Sequence, residues 1–190
     1  MSDGENKPEE KKPPVRPRPT AKKPVPKALP PSPRQPVVDA LVTRLRGEFG
    51  DDAVLEGYIN QPNDHLPTLV ISREKWLDVL TLLHDDPRMQ YTYLQNASAI
   101  DQETHLEVVF YLHDLQRREQ VAVKVKLDRD HAVLPSAAHL FAAANWNERE
   151  MYDLMGIVFT GHPELKRILL PKNWVGHPLR KDYEAFDEGV

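Results

Sequence analysis

An α+β fold is what this sequence predicts. It consists of a single domain whose mixed or antiparallel sheet is flanked by helices, set between a disordered N-terminal tail and an extended C-terminal strap. Three observations carry the prediction. Helical spacing of apolar residues occurs over Val38–Phe49 and again over Arg73–His84. Five runs of strand length separate and follow those helices. From Asn147 to Tyr183 the chain opens as a helix and then loses all periodicity, while staying rich in Arg, Trp, Tyr and Leu.

The tail is expected over residues 1–36. Eleven of the eighteen prolines lie before Val37, and nine Lys/Arg against four Asp/Glu give this stretch a balance of +5. The whole chain is −4, so the remaining 154 residues sum to −9, an acidic body behind a basic arm. With almost no large apolar side chain, the arm cannot offset its ordering entropy and is expected to have polyproline II character. A proline-groove ligand, or an electrostatic arm for anionic lipid or nucleic acid, is the sharper alternative to a solvated tail.

The body is expected over residues 37–146. Val38, Leu41, Val42, Leu45 and Phe49 mark the first helix, with Gly50 as its stop. Strands follow at Ala53–Ile59 and Pro67–Ser72. Ser72 is positioned to cap a helix carrying Trp76, Leu77, Leu80 and Leu83 inward. Further strands are expected at Tyr91–Ile100, His105–His113 and Gln120–Leu127. In the last, Val121, Val123, Val125 and Leu127 alternate with Lys124 and Lys126. Ser136 suggests the cap of a short helix over Ala137–Ala144. Asn147 with Glu150 suggests a capping box for another, stopped by Gly156. Residues 147–190 form the last expected unit, a helix and a strap separable from the body after Gly156. Long stretches without regular structure in a compact domain are usually functional.

Composition excludes several functions. There is no cysteine, so this chain alone is expected to hold no disulfide, thiolate or iron–sulfur cluster. No apolar run reaches the roughly 20 residues of a membrane span, and no secretory signal is visible, so the chain reads as soluble and cytosolic. No phosphate-binding glycine loop occurs. An acidic body argues against nucleic acid. Glu148, Glu150, Asp153, His162 and His177 form the one candidate metal or acid/base set. No metal-ligand spacing connects them, and structural roles are favoured. The triplets Gly161-His162-Pro163 and Gly176-His177-Pro178 read as extended kinks whose imidazoles hydrogen-bond backbone or carboxylate. No catalytic, cofactor-binding or metal residue is assigned.

Glu148-Arg149-Glu150, then Asp153-Leu154-Met155, His162 and Lys166-Arg167-Ile168-Leu169 resemble the signature of one family of subunits of proton-translocating NADH:quinone oxidoreductase. This is the C-type, or 30 kDa, subunit family of respiratory complex I. The run Trp174-Val175-Gly176-His177-Pro178-Leu179-Arg180-Lys181-Asp182-Tyr183 is similar to that family's closing motif, and Tyr152, Gly156 and Pro163 fall within the same stretch. The resemblance spans about residues 37–183 and leaves out the tail. It implies a translocase subunit of the hydrophilic arm that binds no cofactor itself. FMN, iron–sulfur clusters, NADH and quinone (such as ubiquinone) would belong to partner subunits. Its partners would be the quinone-site subunit, to which some members are fused, and cluster-bearing neighbours; this chain looks like the unfused form. Location would be peripheral, on the cytoplasmic side of the cell membrane. The matching residues would serve assembly: Arg149, Arg167 and Arg180 by carboxylate pairing, Trp174 and Tyr183 by apolar anchoring. A related membrane-bound hydrogenase, or a dehydrogenase fed by ferredoxin or deazaflavin, is the alternative.

Overall fold

The structure, a computed structural model, describes residues 31–184. The expectation for the tail falls outside that range over residues 1–30. Helix α1 runs over Gln35–Phe49 with Pro36 in its first turn. It therefore opens inside the stretch expected to be disordered. A proline at the start of a helix needs no N–H partner and has its φ preset, which explains the early start.

Strands β1 (Val54–Asn60) and β2 (Leu66–Ile71) lead through a 3-10 turn at Arg73–Lys75 into α2 (Trp76–Asp85). Strands β3 (Tyr93–Asp101), β4 (Leu106–Asp114) and β5 (Glu119–Leu127) follow. The five strands form one sheet in the order β1-β2-β5-β4-β3. All neighbours are antiparallel except β2 and β5, which run parallel with Thr68 opposite Ala122 and Ile71 opposite Val125. The sheet is thus mixed, and the element sequence agrees with the predicted α+β class.

One face of the sheet and the helices enclose the main core. Val121, Val123, Val125 and Leu127 all point into it, joined by Leu41 and Leu45 of α1 and by Trp76, Leu80 and Leu83 of α2. Trp76 meets Phe110 edge-on, ring centroids 4.9 Å apart. On the opposite face Leu66, Val109 and Ala122 form a small cluster with Tyr111. Beside it Lys124 Nζ donates to Glu107 Oε1 at 2.8 Å.

Two departures matter for the strap. Residues 137–143 form turns and irregular chain, not the expected short helix; the chain instead enters α3 at Ala144 and stays helical to Met155. Asn147 therefore lies inside the first turn, and no side chain caps the helix. The Ser/Asn cap pattern misleads here because Ser136 bonds a residue twelve positions away, as described below. Periodicity also hides a second sheet. Strand β6 (Val133–Pro135) pairs in parallel with β7 (Val158–Thr160), beyond Gly156, where no strand was expected. Ile157 and Phe159 are core residues. The body and strap are consequently not separable at Gly156.

Candidate functional site: a strap pinned to helix α3

Helix α3 buries Ala144, Glu148, Arg149, Met151, Asp153 and Met155. Burying two carboxylates on one helix face demands partners, since an unpaired buried charge is strongly disfavoured. Asp153 finds them in the strap. Its Oδ2 accepts the backbone N–H groups of Ile168 (2.9 Å), Leu169 (2.8 Å) and Leu170 (3.0 Å). Arg167 Nη1 donates to Oδ1 at 3.1 Å. Burial opposes ionisation here, but the three amides and the guanidinium outweigh it and hold the carboxyl below its ordinary value. The Lys166–Leu170 backbone is wrapped around an anion, as in other concave arrays of consecutive N–H groups.

The strap then returns to the end of α3. A helix leaves its last carbonyls without intrahelical partners. His177 Nδ1 donates to the Asp153 carbonyl at 3.0 Å, Leu179 N–H to that of Leu154 at 3.1 Å, and Arg180 Nε to that of Met155 at 2.8 Å. Gly156 ends the helix with φ 73°, and a Cβ there would lie 2.6 Å from the His177 ring. Only glycine permits both the left-handed turn and the ring. Arg167 also donates to the Gly176 carbonyl at 3.4 Å, which keeps the two strap segments together. A Cβ at Gly176 would meet the half-buried Tyr183 ring at 2.8 Å.

The final turn is clasped at the far end of the sheet. Lys181 N–H donates to Asp101 Oδ2 at 2.8 Å, and Arg129 bridges Asp101 and Asp182 at 2.6 Å each. Lys181 Nζ reaches Glu103 at 2.9 Å. Burial works against ionised Asp101, yet the Lys181 and Glu103 amides and Arg129 keep its carboxyl below the ordinary value.

Near the start of α3, Glu148 is fully buried. Ser136 Oγ donates to its Oε2 at 2.6 Å and Ala137 N–H to its Oε1 at 2.7 Å. Burial pushes this carboxyl up to about 7, against the pull of those two bonds. His162 lies between Glu148, 4.0 Å away, and the Asn145 carbonyl, which its Nε2 reaches at 3.1 Å. Both Gly-His-Pro kinks thus use their imidazoles on backbone carbonyls, as the sequence predicted.

Within this chain the three arginines already have partners. Arg167 pairs with a carboxylate of its own chain. Arg149 Nε donates to the Lys166 carbonyl at 3.3 Å while its guanidinium stacks 4.7 Å from the Trp146 ring. Arg180 binds a carbonyl of α3. The strap lies first on its own body. Facing outward are Glu150, Pro163, Leu169, Trp174 and Leu179, with half-buried Tyr152 and Pro178 beside them. Trp146 is 63% exposed, Leu169 59%, Val175 86% and Leu179 56%. Glu150 has no polar partner among the described residues, and the metal set considered from sequence is not assembled. Asp153 and His177 are engaged as above, and among the described residues no group of three or more His, Asp or Glu could hold a metal ion. No helix among them is long and apolar enough to cross a membrane. Asp101 and Arg129 escaped the sequence reading, and Ser136 entered it only as a helix cap. Each acts across a long sequence separation and leaves no local pattern.

The family described as respiratory-chain NADH dehydrogenase, 30 Kd subunit, matches residues 69–188, which include every residue of the pinned strap described above. The chain belongs to this family. A C-type subunit of NADH-quinone oxidoreductase from Moorella thermoacetica is 38% identical over 154 residues, covering 80% of this chain and 99% of that one. A C/D-type subunit from Psychrobacter arcticus is 40% identical over 158 residues, 78% of this chain. The chain spans about a quarter (26%) of such C/D relatives. Among solved structures, a trypsin-resistant fragment of Nqo5 superposes with a TM-score of 0.55 at 24% identity, covering 67% of this chain and 98% of the fragment. That likeness concerns the fold. For the 30 Kd family, the sequence resemblance and the structure now meet on the same segment.

Proposed function

We propose that this chain is a non-redox subunit of the peripheral arm of a proton-translocating NADH:quinone oxidoreductase. In this reading it sits on the cytoplasmic side of the cell membrane and has no active site of its own. FMN, the iron–sulfur clusters, NADH and quinone are handled by partner subunits, among them the quinone-site subunit and cluster-bearing neighbours. One observation carries the reading beyond family membership. The signature residues divide by direction. Asp153, Gly156, Arg167, His177, Arg180 and Asp182 fix the strap to the body, and this leaves Leu169, Trp174, Val175 and Leu179 displayed on a stiffened backbone. Exposed aromatic and aliphatic side chains on a pre-ordered segment suit an intersubunit contact, because little entropy remains to be lost on docking. Glu150 adds an outward carboxylate to that surface.

Co-purification from solubilised membranes tests the proposal. W174D combined with V175D is expected to leave the isolated chain's melting temperature nearly unchanged and to release it from the complex. Normal assembly of that variant, with full NADH:quinone activity, would overturn the reading.

A further inference from the structure

We propose that Glu148, with Ser136 and His162, forms a proton-operated latch holding strand β7 and the turn after it against α3. Such a latch is independent of the assembly role above and follows from the geometry around these three side chains.

Glu148 is 0% exposed, and no lysine or arginine pairs with it. From the chain after β6 it is faced by the Ser136 hydroxyl and the Ala137 N–H. From the turn after β7 it is faced by His162, whose side chain is also fully buried. On α3 itself, Arg149 turns away to the Lys166 carbonyl and Trp146, and Glu150 points into solvent. Glu164 stands on the far side of His162, donating its N–H to Nδ1 at 3.0 Å. An Nδ1 that accepts a bond carries no hydrogen, so the ring's proton is on Nε2, where it is donated to the Asn145 carbonyl. With its two ring nitrogens engaged in this way, His162 makes no hydrogen bond to Glu148.

Glu148 therefore has two states. As an acid it donates to Ser136 Oγ across 2.6 Å; as a carboxylate it accepts from Ser136 and carries a buried charge held by two neutral donors. The first state suits the closed latch, and burial raises its pKa to about 7 from the ordinary 4.5. Opening the β7 turn admits water and returns the group toward that ordinary value. A pKa raised on closing means the latch holds most firmly below about 4.5, loosens as pH rises toward 7 and is weakest above it. The fall from about 7 to 4.5 corresponds to an opening equilibrium shifted by about two orders of magnitude. Asp153, with its own cation and amides, keeps the later strap in place throughout.

Amide hydrogen exchange of the full chain, corrected for the intrinsic base-catalysed rate, reads this directly. Protection of residues 157–165 is expected to fall about 100-fold between pH 5 and pH 8. In E148Q it is expected to be flat, since the amide can accept from Ala137 and donate to Ser136 without ionising. A flat profile in the wild type would overturn the latch, as would an unchanged slope in E148Q. If E148Q does not fold, carboxyl carbon NMR of the wild type decides instead. One glutamate titrating within about a unit of pH 7 supports the proposal, and all glutamates titrating below about pH 5.5 end it.

Discussion

The sheet body and the strap are held by different forces. In the body, Trp76, Phe110, Leu80 and Val123 lie in one continuous apolar cluster, where attraction is non-directional and volume decides stability. In the strap, few side chains are fully buried, and the path is set by directed bonds: Asp153 to three amides, His177 and Arg180 to α3 carbonyls, Arg129 to two aspartates. A core tolerates changes that preserve shape. A strap of this kind tolerates changes that preserve donor and acceptor positions. The family signature falls in the second class: Asp153, Arg167, His177 and Arg180 are engaged in the strap's own directed bonds.

Substitutions can pull these two regions apart. The largest effect is expected from W76A, which should destabilise the whole chain by about 4 kcal/mol in denaturant unfolding. W76F should cost far less, because the indole Nε1 has no hydrogen-bond partner among the described residues. D153A comes next. It leaves three amides and Arg167 without their acceptor and should weaken strap attachment by about 3 kcal/mol. Limited proteolysis should then cut near residues 166–180, while the sheet keeps its hydrogen-exchange protection. If both regions lose protection together, the distinction between them fails.

Acid sharpens the contrast within the helix. The Asp153 carboxyl is depressed on folding, so its contribution is complete above the unfolded value of 3.8 and is lost as pH falls through the folded one. Glu148 has the opposite sign. Strap cleavage near residues 166–180 should therefore increase as the pH falls below the Asp153 carboxyl's ordinary value of 3.8, while the β7 turn is at its tightest. The smallest effect belongs to the clasp's outer bond. Asp182 is largely exposed, so D182N should change stability by less than about 1 kcal/mol in thermal melts. A larger loss would mean the clasp, and not Asp153, anchors the strap.

Much of the body could be read from the sequence because periodicity is local. The alternation of Val121, Val123, Val125 and Leu127, and the helical spacing of Val38, Leu41 and Leu45, each report burial within one element. The order of strands could not be read, since pairing β2 with β5 depends on residues some fifty positions apart. In the strap, residue types were the useful signal: Gly-His-Pro correctly suggested kinks with bonded imidazoles. Their partners were not legible. Asp153 with Ile168, Arg129 with Asp182 and Lys181 with Asp101 meet only after the sheet is built. For the same reason Ser136 looked like a helix cap when its bond goes to Glu148.

The parallel junction of β2 and β5 also bears on the order of folding. Helix α1 with the β1–β2 hairpin can form early from near neighbours in the chain, and β3, β4 and β5 can zip together as a second meander. Joining them requires closing the long loop from Ile71 to Val121, an entropic step that local contacts do not assist. On a ribosome, the centre of the sheet must wait until residue 125 has emerged, and the α3 platform for the strap until later still. The signature segment, made after both halves, is therefore positioned to close a structure already assembled from them.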